Sequence, residues 1–141
     1  MRYKNPKLVV GGIIKHEGKL LLIRRGINPG KGRWALPGGY VDFGEHPSKA
    51  VIREVKEECN VDAKIIDHKP HVYDINIKRN GRHFHAVRMI FLLKTNSIRN
   101  MRPDNKEVTD VKLFTKKEYK SLKKDQIHFR HDAIIRDILK W

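Results

Sequence analysis

The stretch from Gly39 to Val61, GYVDFGEHPSKAVIREVKEECNV, limits what this chain can fold into more than any other. It begins as a loop rich in glycine and acid (Gly39, Asp42, Gly44, Glu45). Pro47 suits the first turn of a helix. The helix is expected to run to about Cys59, and Asn60 can close it because Asn tolerates the left-handed conformation used at that place. Glu54, Glu57 and Glu58 fall at i, i+3 and i+4, so their carboxylates share one side of the helix. Val51, Val55 and Cys59 make a neighbouring apolar stripe that should face a core. Like charges at this spacing repel. A divalent cation would reverse that sign, and clustered hard oxygens suit Mg²⁺ or Mn²⁺. The competing reading is a solvated face whose acids pair with Lys49, Arg53 and Lys56. On the acids alone the two readings stand level.

The spacing of the whole stretch separates them. Gly39 is followed after five residues by Glu45 and, after seven more, by Arg53-Glu54. Val55, Lys56, Glu57, Glu58, Cys59, Asn60 and Val61 complete a pattern that resembles the signature of the Nudix hydrolases. Asn60 stands where the family has Gly, and it can fill the same helix-closing role. The preceding phrase, Trp34-Ala35-Leu36-Pro37-Gly38-Gly39, is similar to the family's lead-in. Trp34 is expected in the core rather than stacked on a substrate.

The resemblance implies an α/β (α+β) fold of the Nudix type. This is an α/β/α sandwich with a mixed β-sheet between helices, formed here by one domain over residues 1–141. Local patterns agree with it. Leu8 to Ile14 reads as a strand interrupted by Gly11-Gly12. Glu17-Gly18 marks a turn into an apolar strand from Lys19 to Ile23. Gly26 to Arg33 reads as a loop. Lys64 to Tyr73 reads as a strand broken near Pro70. Ile75–Lys78 and His83–Leu93 flank Asn80-Gly81, a hairpin turn signal. Val108 to Phe114 reads as a further strand. Thr115 and Glu118 form a capping-box pattern at the head of a short helix, about Lys116 to Lys123. A last helix is expected from about Arg130 to Lys140, with Ile134, Ile135, Ile138 and Leu139 on its buried side.

Lys and Arg number 31 against 16 Asp and Glu, a formal charge of +15. Such a balance attracts polyanions. We read it as steering for phosphorylated substrates, with a nucleic-acid partner open but not favoured. No apolar run is long enough for a bilayer helix, and MRYKNPKLVVGG has no signal-peptide apolar core. Cys59 is the only cysteine, so no intrachain disulfide can form. These features favour the cytoplasm and no membrane partner. A homodimer is left open. The pairs His83/His85 and His128/His131 have no cysteine partners at short spacing, so a zinc centre is not favoured over surface or packing histidines.

The resemblance also implies roles for residues. Glu54, Glu57 and Glu58, with the Gly38 carbonyl, would hold Mg²⁺ or Mn²⁺. Glu45 and Arg53 would brace loop and helix by a charge pair. The general base stays open among Glu54, Glu57 and Glu107, the last a loop acid with Asp104 and Asp110 as competitors. The catalytic set is therefore Glu54, Glu57, Arg53 and Glu107. Arg24, Arg25, Lys31 and Arg33 border the loop and could meet phosphates; Arg25 and Arg33, with Glu45, are assigned to substrate binding. The implied reaction is hydrolysis of a nucleoside diphosphate linked to another moiety. ADP-ribose or a related nucleotide sugar is favoured, giving a nucleoside monophosphate and a sugar phosphate. The phrase Phe129-Arg130-His131-Asp132-Ala133-Ile134-Ile135, similar to one in the ADP-ribose pyrophosphatase group, supports that choice. Against it, that group's proline after the signature is missing from Asn76-Ile77-Lys78-Arg79, and Tyr73 lies too early for a dinucleoside polyphosphate hydrolase. A (deoxy)nucleoside triphosphate pyrophosphohydrolase is the alternative, and a basic nucleotide- or RNA-binding Nudix domain is the non-enzyme alternative.

Overall fold

The computed structural model describes residues 4–141. Its elements run β1 (Lys7–His16), β2 (Lys19–Arg25), β3 (Trp34–Ala35), β4 (Gly38–Tyr40), α1 (Pro47–Cys59), β5 (Lys64–Ile65), β6 (His71–Arg79), β7 (Arg82–Lys94), β8 (Val108–Phe114), α2 (Lys116–Lys120) and α3 (His131–Leu139). A short 3₁₀ turn, Lys124–Gln126, precedes α3.

The strands form one mixed sheet around β1. β1 pairs antiparallel with β2 and β4 and parallel with β7, from Lys7 opposite Ala86 to Ile14 opposite Leu93. β6 and β5 pair with β7, and β8 and β3 with β2. Alternation along β2 builds a core on each face. Leu21 and Ile23 pack with Val51, Val55 and Cys59 of α1. Leu20 and Leu22 pack with Tyr119 of α2 and Ile134 and Ile135 of α3. The sheet thus lies between helices, the expected α/β/α order. Leu20, Leu21, Leu22 and Ile23 of β2 are all buried, each worth about 1.5–3 kcal/mol of apolar transfer.

Local signals acted as expected at several junctions. Asn60 closes α1 with φ 54° and donates its N–H to Lys56 O. Asn80 and Gly81 both take positive φ, the geometry of a two-residue hairpin turn. Thr115 and Glu118 form a complete capping box. The start of α1 also has a cap the sequence did not reveal: His46 Nδ1 accepts the Ser48 N–H at 3.1 Å.

Other expectations are corrected. β1 is not interrupted at Gly11-Gly12. These glycines admit close neighbours: a Cβ on Gly12 would lie 2.7 Å from Leu93 Cδ1. β2 runs past Ile23 to Arg25, so Arg24 and Arg25 are part of the strand. The region 64–73 is not one strand, because pairing lapses between Ile65 and His71 and β6 then continues to Arg79. α2 stops at Lys120, where Ser121 Oγ donates to Glu118 O and competes with the helix. Trp34, by contrast, packs against the core as expected, half-buried and edge-on to Phe114 with ring centroids 4.9 Å apart. Among the described residues, no helix is long and apolar enough to cross a membrane.

Candidate active site

A cleft of about 860 Å³ opens along the sheet between β4, β7, the loop after β2 and the segment before α3. Glu54, Glu57 and Glu58 line one wall, with Gly38, Gly39 and Glu107. The helix period brings the three glutamates there, and α1 can lie against β4 because Gly39 has no side chain. A Cβ on Gly39 would sit 2.6 Å from the Glu54 carboxylate.

Each glutamate is held differently. Glu58 is buried and accepts the Gly38 N–H at 2.7 Å. Burial pushes its carboxyl up to about 8, opposed by the Gly38 N–H and reinforced by the charges of Glu54, Asp104 and Glu107. Burial also raises Glu54, and Arg53 acts against that rise. Arg53 is the organiser. Its Nη1 lies 2.9 Å from Glu54 and 3.3 Å from Glu57, its Nε 2.8 Å from Glu45, and its Nη2 donates to Tyr40 O. The hydrogen bond from Arg53 to Glu45 holds that carboxyl down at about 2. The expected charge pair between loop and helix is therefore present. Lys56, the other cation of the solvated-face reading, pairs with Asp62 instead.

Among the described residues, no three His, Cys, Asp or Glu side chains are gathered into a closed metal cage. Glu54 and Glu57 lean on Arg53, and Glu58 on Gly38. The wall nevertheless offers hard oxygens in excess. Glu58 is in no ion pair among the described residues, and three acids bear on it. Such a donor set fits a divalent cation of the Mg²⁺ or Mn²⁺ class.

Glu107 lines the same wall, although it lies 49 residues beyond Glu58 in the chain. Its competitors are used elsewhere. Asp104 Oδ1 accepts the N–H groups of Lys106, Glu107 and Val108, and Asp110 accepts that of Val111. The substrate-binding assignments fare unevenly. Arg25 lines the cleft, while its Nε donates to Pro29 O. Arg33 and Glu45 are not among the lining residues. Arg33 sits at the loop's far end, where its N–H closes the turn on Gly30 O, and Glu45 is taken up by Arg53. Sequence reasoning missed Arg88, Arg79 and His128 in the cleft, together with the apolar Ile75, Ile77, Phe84 and Phe129.

The histidine pairs part company. His83 and His85 are on the β6–β7 hairpin, partnered by Asn76 and Asp74. His131 is buried, and its Nδ1 accepts the Leu36 N–H at 3.0 Å, so the ring proton belongs on Nε2. Burial, then Arg88, His128 and Arg25, hold its pKa well below the usual value.

A family model described as NUDIX domain matches residues 5–138. The chain belongs to the Nudix family. Its relatives include an ADP-ribose pyrophosphatase of Methanocaldococcus jannaschii, 33% identical over 139 residues, which cover 99% of this chain and 76% of that one. A nucleoside triphosphatase NudI of Salmonella agona is 34% identical over 93 residues, 62% of this chain and 65% of that one. Among solved structures, a Nudix hydrolase from Nitrosomonas europaea superposes with a TM-score of 0.78 at 30% identity, covering 99% of this chain and 73% of that one. The Nudix signature thus coincides with the cleft wall built by α1 and β4.

Proposed function

We propose that this Nudix chain is a divalent-metal-dependent pyrophosphohydrolase whose substrates are ADP-ribose or closely related nucleotide sugars. The observation that carries the reading is a single cleft with the glutamates of α1 on one wall and apolar and cationic side chains on the other. Likeness to the archaeal ADP-ribose pyrophosphatase over nearly the full chain supports the choice of substrate. The shorter likeness to NudI makes nucleoside triphosphates the second class to test.

Glu54, Glu57 and Glu58, with the Gly38 carbonyl, would hold Mg²⁺ or Mn²⁺, and Arg53 and Glu45 would keep the helix acids in place. When bound, the cation supplies charge neutralisation on the diphosphate and a more acidic attacking water. Glu54, Glu57 or Glu107 accepts the proton of that water on a carboxylate oxygen. Water adds to one phosphorus, the anhydride P–O bond breaks, and a nucleoside monophosphate and a sugar phosphate leave.

The test is a phosphate-release screen with Mg²⁺ over ADP-ribose, other nucleotide sugars, dinucleoside polyphosphates, NADH and nucleoside triphosphates. ADP-ribose or a nucleotide sugar should give the highest kcat/KM, and EDTA should abolish turnover. Glu57→Gln should lower kcat by roughly 10²-fold or more, as loss of a positioned acid–base or ligand group does, with an unchanged melting profile. A folded Glu57→Gln protein with near-normal turnover would remove Glu57 from the site, and fastest turnover of nucleoside triphosphates would replace the substrate class.

A further inference from the structure

The cleft that holds the glutamates also carries arginines that form no ion pair among the described residues. Arg88 stands on β7 between Ala86 and Ile90, on the face that lines the cleft. Its Nη1 is buried without a hydrogen-bond partner, and so is Nδ1 of His128 beside it. Among the described residues, neither Arg88 nor Arg25 takes part in an ion pair, whereas Arg53 of α1 pairs with Asp42, Glu45, Glu54 and Glu57. The loop after β2 presses onto this group. A Cβ on Gly30 would lie 3.4 Å from Arg25 Cδ and nearer still to the His128 ring. Burial, followed by the charges of Arg130 and Arg25, lowers Arg88 to about 10. Burial, Arg25, Arg88 and Arg33 lower His128 to about 4.

Arg88 is half-buried, and a guanidinium nitrogen buried with its hydrogen bond unmade is costly, so a fold that keeps one needs a reason. Guanidinium groups match phosphate oxygens in charge and in geometry. The sheet register sets the distance to the other wall. Arg88 is opposite Val9 of β1, and Val9 is opposite Tyr40 of β4. Two strand spacings, about 10 Å, thus separate the Arg88 backbone from the strand beside Glu54 and Glu58. An extended arginine covers much of that gap.

We propose that Arg88, with Arg25 and His128, forms an anion subsite for the second phosphate of the substrate, the one not held at the glutamate wall. The identity of the occupant rests on the diphosphate reading above; the existence of an anion site at Arg88 does not. Arg88 is here a residue that binds and positions substrate, and no proton transfer is assigned to it.

The first experiment needs neither metal nor turnover. Inorganic phosphate is titrated calorimetrically into the protein in EDTA, where the glutamate wall repels anions. Wild type should bind phosphate saturably. Arg88→Met and, as a second variant, Arg25→Met should each weaken binding at least tenfold. Lys112→Met, on the outer part of β8, should leave it unchanged. Phosphate should raise the melting temperature of wild type but not of Arg88→Met, which should itself melt no lower than wild type because a buried unpaired charge is gone. Absence of phosphate binding by wild type, or binding undiminished in both arginine variants, overturns the subsite. The second experiment follows the fastest-hydrolysed compound of the screen. Phosphate should inhibit competitively, and Arg88→Met should raise KM more than it lowers kcat. Phosphate binding at Arg88 with non-competitive inhibition overturns the substrate role. A screen with no turnover would sink the hydrolase reading while the EDTA titration still decides the anion site.

Discussion

Glu107 owes its place in the cleft to its backbone more than to its side chain. Asp104 Oδ1 gathers the three N–H groups from Lys106 to Val108, and the Glu107 carbonyl accepts the Gly26 N–H at 2.7 Å. The turn is therefore tied at both sides while the carboxylate is exposed on the glutamate wall. If Glu107 is the base, it acts mainly in the transition state. Glu107→Gln is thus expected to lower kcat by roughly 10²-fold or more with a smaller change in KM. Steady-state kinetics across the pH range checks this, and wild-type kcat throughout would leave the base among the α1 glutamates. The local phrase around Glu107 was readable as a loop before a strand. Which of its three acids faces the cleft was not, because that depends on how Asp104 spends its oxygen.

At the scale of elements, α3 and β3 meet through one buried histidine. The Leu36 N–H, just past β3, donates to His131 Nδ1 at the head of α3. Burial of that ring, then the charges of Arg88, His128 and Arg25, oppose its protonation. In the unfolded chain the same ring takes up a proton as pH falls through about 6.5. The unfolded state then binds more protons than the folded one, so stability falls as pH drops below about 6.5. Its slope is about 1.4 kcal/mol per pH unit for each such group. His128, lowered to about 4, contributes in the same direction until pH reaches that value. His131→Asn keeps an acceptor for Leu36 without a titrating ring. Urea unfolding at pH 7 and pH 5 should show a smaller loss in the variant than in wild type. Equal losses would assign the acid sensitivity to other groups.

For the whole molecule, the formal charge of +15 acts over distance. Raising salt from 0.1 M to 1 M shortens the screening length from about 10 Å to about 3 Å. kcat/KM for anionic substrates should therefore fall steeply with salt, and kcat should change less, because steering acts on encounter. Stopped-flow or initial-rate measurements at several salt concentrations check this. Tight, salt-sensitive RNA binding in a protein without hydrolytic turnover would point to the binding-domain reading instead.

The amino-acid sequence by itself determined the parts whose physics is local. The period of α1, its Asn60 closure, the Asn80-Gly81 turn and the Thr115–Glu118 box each depend on residues a few positions apart, and each lies where the pattern indicated. The glutamate wall was legible for the same reason, since i, i+3 and i+4 on a helix share a face. Only the tertiary structure decided what faces that wall. Arg88 enters the cleft because β7 runs parallel to β1, a pairing between segments about eighty residues apart. His128 enters because its backbone N–H is bonded to Trp34 O, and Arg33 stays outside because its N–H closes the loop turn on Gly30. Strand order and loop closure join residues with no shared local pattern, so a run of arginines in one dimension could not show which of them stands opposite the acids.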